Sequence, residues 1–295
     1  MSIIDEIKDS FRKGTSLNKL IYLNIGIFLL VQLVHIGTVL SNAPESYESF
    51  IRLLAVPSGL DALKGRFWTV ITYMFFHKDF FHILFNMILF FWFGRFFMEA
   101  FGEKKLMGIY ILGGIGGAIL YIAFYNLFPF FEEVVAQSVA LGASASVIAV
   151  VMAVATYVPE RRMHLVFIGP VKIIYVALFF FIISSVVDFS VNTGGKIAHM
   201  GGAVVGVLFA LYYKQGKDIT RGFDRLMDTM ASWFKPGKSK MKVTYRRPAD
   251  DMEYNRQKAA EQKEVDRILE KISKAGYDSL TKREKEMLFK MKDKS

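Results

Sequence analysis

Six long apolar stretches constrain the fold of this chain more than any other feature. A helix needs about 20 mostly apolar residues to cross the hydrocarbon core of a bilayer. The 295 residues are 53% hydrophobic, and the mean hydropathy is +0.32, which is too apolar for an ordinary soluble domain. The sequence therefore predicts an all-α, polytopic membrane protein with six transmembrane helices. The predicted spans are 20–40, 79–98, 107–128, 139–158, 171–191 and 198–214.

The distribution of Lys and Arg predicts the orientation of these spans. Cations precede the first span, occupy the loops after spans two and four, and are abundant after span six. The loop between spans three and four has none and carries Glu132 and Glu133. Because short cytoplasmic loops are enriched in Lys and Arg, both termini are predicted to be cytoplasmic. The long loop 41–78 carries cations on the outer side, and we expect it to lie partly in the membrane interface.

Composition also divides the chain and excludes some chemistry. We predict a cytoplasmic N-terminal segment (1–19), a membrane domain (20–214), a linker (215–250) and a small soluble helical hairpin (251–295). A capping box at Thr281-Lys282-Arg283-Glu284 predicts the start of the second hairpin helix. The absence of cysteine excludes disulfides and thiol catalysis. The basic tail favours contact with anionic lipid, and no nucleic-acid partner is expected because no binding motif is present.

Three polar motifs lie at one depth in the predicted bundle. Each is near the start of a span that runs inwards, within roughly 10 Å of the outer surface at 1.5 Å per residue. A polar side chain in hydrocarbon is costly unless it has a partner or a task. A serine, a histidine and two further side-chain donors at one depth are the parts of a serine hydrolase. The motifs are His82-Ile83-Leu84-Phe85-Asn86, Gly142-Ala143-Ser144-Ala145 and Ala198-His199-Met200-Gly201-Gly202.

At these motifs the chain resembles the rhomboid intramembrane serine proteases, over roughly residues 60–214. The resemblance implies that Ser144 is the nucleophile and His199 the general base. It implies that His82, Asn86 and the backbone N–H of Ser144 form the oxyanion hole. Supporting positions in the motifs are Gly142, Ala198 and Gly202.

The same resemblance defines the expected activity. It implies a serine endopeptidase that cleaves transmembrane segments of single-pass membrane proteins near the outer face of the membrane. The expected partners are these substrates and the lipid bilayer, no cofactor or metal is expected, and no oligomeric state is predicted. The expected location is a bacterial inner membrane.

The chain departs from the family pattern at three positions. Ala145 stands where glycine is common, and Thr69 follows Trp68 where the family has arginine. Ile148 replaces an aromatic residue that commonly lies under the base. The resemblance also implies that Glu99 helps to hold the first loop, whereas the role of His77 is left open between the outer mouth of the site and packing of that loop.

Other functions compete with the protease. A catalytically silent rhomboid-like protein that binds membrane clients is the main alternative, although such relatives typically lack the serine or the histidine. A metal site built on His77, His82 and His199 lacks a matching carboxylate. A small transporter would need broken helices or buried charge pairs, and we predict that Asp188 and Lys196 are loop residues at the outer end.

Overall fold

The computed structural model describes residues 14–165, 168–187, 192–234 and 251–292. The chain separates into two compact units, Met1–Phe234 and Lys235–Ser295. We call them the membrane unit and the tail unit.

The described residues of the membrane unit form ten α-helices and two small antiparallel sheets. One sheet pairs β1 (Val56–Pro57) with β2 (Val139–Ala140), and the other pairs β3 (Arg162–Leu165) with β4 (Gly169–Lys172). Single 3₁₀ turns occur at Tyr73–Phe75 and Pro129–Phe131. The helices are α1 (Ser16–Leu40), α2 (Pro44–Leu54), α3 (Leu60–Gly65), α4 (Thr69–Thr72), α5 (Phe80–Phe101), α6 (Glu103–Leu127), α7 (Ser144–Tyr157), α8 (Ile173–Ser185), α9 (Thr193–Lys214) and α10 (Arg221–Phe234).

Within the described residues, four helices are long and apolar enough to cross a membrane, namely α1, α5, α6 and α9, whereas α7 and α8 are shorter. At 1.5 Å per residue the 14 residues of α7 extend about 21 Å, which is less than the hydrocarbon thickness. Its residues from Ala145 to Ala155 are all buried, so protein rather than lipid surrounds this helix.

The observed bounds differ from the predicted spans where other contacts compete with the helix. The fourth span was expected from residue 139, but Val139 and Ala140 pair with β1, and α7 begins at Ser144. The fifth was expected to reach residue 191, but α8 ends at Ser185. The sixth was expected from residue 198, but α9 begins at Thr193 after an Asn192 cap.

The early start of α9 corrects the prediction for Lys196. We had predicted a loop residue, but Lys196 is a buried residue of the helix. Asp188 lies outside the described residues.

Glycine allows α6, α7 and α9 to pack backbone against backbone. A Cβ atom built on Gly202 of α9 would lie 2.1 Å from the carbonyl oxygen of Ala145, and one on Gly206 would lie 2.2 Å from that of Ala149. On the other side, a Cβ on Gly201 would lie 2.4 Å from the carbonyl oxygen of Gly116 in α6. Small residues permit this close approach between membrane helices, so the position of α9 is fixed by its neighbours α7 and α6 on two sides.

At one end of the bundle, charged side chains hold the ends of neighbouring helices together. The amide of Ser16 donates to Glu103 at 2.5 Å, which brings the starts of α1 and α6 together. The Lys214 ammonium donates to the carbonyl of Thr156 at 2.8 Å, which joins the ends of α9 and α7. We call this the basic end, and the opposite end, where α5, α7 and α9 begin, the site end.

The expectation for Glu99 was wrong. Its carboxylate accepts two bonds of 2.7 Å from Arg161, between α7 and β3. The reason is its position in the last turn of α5, at the basic end, whereas the first loop joins α1 to α5 at the site end.

The predicted linker 215–250 requires a correction in its first half. Residues 221–234 form α10, which belongs to the membrane unit. Thr220, just before α10, is fully buried, and its hydroxyl donates to Asp218 at 2.7 Å. The signal was present in the sequence as apolar residues at helical spacing, but it was obscured by the many charged residues nearby.

The tail unit is a helical hairpin. Helix α11 (Asp251–Ala275) is followed by a 3₁₀ turn at Tyr277–Ser279 and then by α12 (Lys282–Lys292). The capping box is present, because the Thr281 amide donates to Glu284 at 2.7 Å and the Glu284 amide donates to the Thr281 hydroxyl at 3.4 Å. Among the described side chains of this unit, Ile268 of α11 and Leu280, just before α12, are the buried apolar ones.

Candidate active site

A cavity of about 600 Å³ at the site end brings the three polar motifs together. Ser144, His199, His82 and Asn86 all line it, although more than 110 residues separate the first motif from the last in sequence. The remaining lining side chains are mostly apolar and come from α5, α7 and α8. They are Phe85, Ile88, Leu89, Trp92, Ile148, Phe180, Ile183 and Ser184.

A tight turn places Ser144 at the first position of α7. Gly142 has φ +127°, a conformation that side chains rarely adopt, and its amide donates to the carbonyl of Tyr73 at 2.9 Å. A Cβ atom at this position would lie 2.8 Å from Cε1 of the His82 ring. Glycine is therefore needed here both for the backbone and for the imidazole that packs against it. The backbone N–H of Ser144 is one of the free amides at a helix start, where negative charge is favoured.

His199 is held by a backbone carbonyl. The side chain is buried, and Nδ1 lies 3.0 Å from the carbonyl oxygen of Ser184 near the end of α8. A carbonyl can only accept a hydrogen bond, so Nδ1 carries the proton of the neutral ring. The Nε2 lone pair is then available as a base. Sequence reasoning missed Ser184 because a backbone carbonyl has no residue-specific signature.

Ser144 and His199 share the cavity without a direct bond between them. Among the hydrogen bonds of the described residues, none joins Ser144 Oγ to His199. Catalytic hydrogen bonds are often long in the absence of substrate and tighten when substrate binds.

His77 is the main residue whose place the sequence left open. It is fully buried, and its Nε2 atom accepts a bond of 3.2 Å from the amide of Ala143. The same atom lies 3.3 Å from Nδ2 of Asn86. One imidazole thus contacts both the turn before Ser144 and the amide of Asn86. Its ring also lies edge-on to His82, with centroids 5.2 Å apart. In the sequence, the only hint of this role of His77 was the close spacing of three polar side chains at 77, 82 and 86.

The supporting positions act through packing. Gly202 lies one turn after His199 and contacts the carbonyl of Ala145, the residue after Ser144. The carbonyl of Ala198 lies 2.9 Å from where a Cβ on Gly117 would be. Ala145 and Ala198 are the chain neighbours of Ser144 and His199. Their contacts with glycine therefore set the relative position of the two backbones.

The three departures from the family pattern have distinct surroundings. Ala145 is buried under Gly117 and Gly202. Ile148 is buried and lines the cavity, so an aliphatic side chain occupies the wall of the site one turn below Ser144. Thr69 is buried in the first loop, and its hydroxyl donates to the carbonyl of Arg66 at 2.5 Å.

Comparisons with known proteins agree on the membrane unit. The family model described as Rhomboid domain matches residues 64–216. RHOMBOID-like protein 12, mitochondrial, of Arabidopsis thaliana is 26% identical over 208 residues, which are 67% of this chain and 58% of the relative. Rhomboid protease AarA of Providencia stuartii is 25% identical over 204 residues, which are 66% of this chain and 70% of the relative. The chain thus spans less than two thirds of the length of the Arabidopsis protein.

A second family model matches the tail unit. It is described as a family of unknown function (DUF6576) and covers residues 250–290. This match coincides with the helical hairpin and does not overlap the Rhomboid domain.

Proposed function

Because this chain belongs to the rhomboid family, we propose that it is an intramembrane serine endopeptidase acting through Ser144 and His199. The observation that carries the proposal is the shared cavity, in which Ser144, His199, His82 and Asn86 converge at the site end of a membrane bundle. The rhomboid protease among the relatives supports the same class of activity. Membership in the family and an integral, multi-pass membrane location are the premises from which the chemistry follows.

In the proposed reaction Ser144 Oγ attacks the carbonyl carbon of the scissile peptide. Nε2 of His199 takes the hydroxyl proton, and the carbonyl of Ser184 keeps the opposite nitrogen protonated, so the ring stays in the basic tautomer. His199 then gives the proton to the leaving amine, and water releases the acyl group from Ser144 by the same sequence of proton transfers. No acidic third residue is required where a backbone carbonyl and packing orient the imidazole.

The oxyanion of the tetrahedral intermediate needs donors fixed in advance. We assign this role to the backbone N–H of Ser144, the amide of Asn86 and the imidazole of His82. Asn86 is buried, and its Nδ2 atom has two protons, of which one is directed at His77. The second remains for the substrate oxygen. Each donor acts in a largely apolar cavity, where such interactions are stronger than in water.

The wall of the cavity supports a proposal for the substrate class. Phe85 and Ile88 of α5 and Ile183 of α8 line the cavity and are also exposed on the outside of the bundle. An opening bordered by lipid-facing apolar side chains suits a peptide that arrives from the bilayer. We therefore propose that the substrates are transmembrane segments of single-pass proteins, cut near the outer face, in a bacterial inner membrane with both termini of this chain cytoplasmic.

The experiment compares the purified protein with Ser144→Ala and His199→Ala on a reporter transmembrane substrate in liposomes. We expect cleavage by the wild type and its loss in both variants, together with labelling of Ser144 by a fluorophosphonate. Ser184→Ala is the matched control, because its hydroxyl bonds the carbonyl of Phe181 and lies 3.3 Å from the hydroxyl of Ser185. The Ser184 carbonyl, which contacts His199, is retained in this variant. A well-folded wild type that neither cleaves nor reacts with the probe would instead support the silent, client-binding alternative.

A further inference from the structure

Helix α10 has two chemically distinct sides. Phe223, Leu226 and Met227 follow the i, i+3, i+4 spacing that places residues on one face of a helix. Arg221, Arg225, Asp228 and Ser232 lie on the opposite face and are all exposed. Phe223 packs against the core of the membrane unit. Leu226 and Met227 are 56% and 40% exposed, so these two described side chains of the apolar face are largely uncovered by protein.

Contacts at the basic end fix where this helix starts. Lys105, in the first turn of α6, forms an ion pair with Asp218 and lies 5.6 Å from the centroid of the Tyr213 ring in α9. Thr220 is fully buried against Gly108 of α6, where a glycine Cβ would lie 2.9 Å from the Thr220 Cβ. Helix α10 therefore begins at the level where two spanning helices enter or leave the bilayer.

Charge complementarity indicates what covers the exposed apolar face. A helix with an apolar face and a charged opposite face, held at the end of membrane spans, has the form of an interfacial helix. The sequence that follows α10 carries six cations and one acidic residue, and polybasic segments of this kind are attracted to anionic headgroups. These residues are Lys235, Lys238, Lys240, Lys242, Arg246, Arg247 and Asp250.

We propose that α10 lies in the plane of the membrane, with Leu226 and Met227 in the acyl-chain boundary of an anionic leaflet. By the predicted orientation this is the cytoplasmic leaflet. The inference concerns the lipid surface alone and stands whether or not the chain is a protease.

The absence of native cysteine makes a direct test possible. Single-cysteine variants Leu226→Cys and Met227→Cys are labelled with bimane in the full chain, reconstituted in nanodiscs of phosphatidylcholine and phosphatidylglycerol. Arg225→Cys and Asp228→Cys are the matched controls on the opposite face. Both target side chains are exposed in the structure, so substitution removes little packing. Quenching is measured with bromine on the lipid acyl chains and, separately, with iodide in the water.

We expect bromolipid to quench bimane at 226 and 227 at least twofold more than at 225 and 228, with the reverse order for iodide. We also expect the bromolipid effect to shrink when phosphatidylglycerol is omitted. Equal bromolipid quenching on both faces would overturn the proposal, because the helix would then stand off the bilayer. Protection of 226 and 227 from both quenchers would also overturn it, since protein would be the covering surface.

Discussion

In the membrane unit, α6, α7 and α9 pack backbone against backbone. In the tail unit, two buried apolar side chains and an ion pair between long side chains join the helices. A Cβ on Gly202 would lie 2.1 Å from the carbonyl of Ala145. In the tail unit, by contrast, Lys271 of α11 contacts Glu284 of α12 at 3.0 Å, with both side chains partly exposed. Close backbone packing allows no added atom, whereas exposed ion pairs contribute little and tolerate replacement. The two units should therefore respond very differently to substitution.

The largest expected effect is that of Gly202→Ala. The new Cβ would collide with backbone that cannot rotate away, so α7 and α9 must separate. We expect a large fall in thermal stability in detergent and complete loss of cleavage. Gly26→Ala in α1 is the matched control, because nothing lies within 4 Å of a Cβ at that position. There a helical alanine should be neutral or stabilising by up to about 1 kcal/mol. Equal melting temperatures for the two variants would contradict the account of backbone packing.

The second prediction concerns the polar contacts inside the membrane unit. Asn86→Ala should reduce turnover by about a hundredfold, the typical result of losing one oxyanion donor. His77→Ala should reduce turnover as well, because Asn86 loses its partner and the Ala143 amide is left buried without an acceptor. We expect the double variant to lose less than the sum of the two single losses, since part of the effect of His77→Ala passes through its contact with Asn86.

The control for His77 is the conservative variant His77→Gln, whose side-chain oxygen can accept the same hydrogen bonds and should restore part of the turnover. The measurement is kcat and KM separately, and the effect should fall on kcat. Fully additive losses in the double variant, or unchanged turnover in both Asn86→Ala and His82→Ala, would refute the assignment of this network to the oxyanion.

The sequence predicts the membrane class and the residues that meet in the cavity, because both depend on side-chain type. Apolar length indicates the helices, and Ser144, His199, His82 and Asn86 are recognisable by their chemistry. The sequence does not reveal the contact of His199 with the carbonyl of Ser184, because any residue supplies a carbonyl. It also misplaces the start of the fourth span, because the pairing of Val139 and Ala140 with β1 is non-local. Helix α10 was missed since its charged face resembles a linker in composition.

The third prediction addresses the tail unit, where local signals dominate. The Thr281 amide and hydroxyl and the Lys271 ammonium together lower the pKa of Glu284 to about 2. A carboxylate whose pKa is lower in the folded chain than in the unfolded chain stabilises the fold fully above its unfolded pKa. This stabilisation is lost as the pH falls from the unfolded pKa through the folded pKa. Glu284→Gln should therefore reduce hydrogen-exchange protection of residues 281–284 at pH 7, and less so at pH 3.

The matched control for this effect is Glu270→Gln, which removes a carboxylate from an exposed pair within α11. Glu270 contacts Lys274 at 2.6 Å one turn away and caps no helix. Its replacement should leave protection at residues 281–284 unchanged at both pH values. A similar loss in the two variants would show that net charge, rather than the capping box, stabilises the start of α12.

The smallest effect on cleavage should come from removing the tail unit. The structure places Asp218, Thr220 and Phe223 in contacts of the membrane unit, so a cut at residue 216 would disturb the bundle, whereas a chain ending at Asp250 keeps these contacts. We expect the 1–250 chain to retain kcat and KM within about twofold of the full chain in detergent, where no lipid surface is present to bind the basic sequence. The control is the same truncation carrying Ser144→Ala, which should be inactive. A 1–250 chain with an unchanged melting temperature and a tenfold lower kcat would mean that the hairpin takes part in catalysis. The membrane unit would then not be sufficient for the proposed reaction.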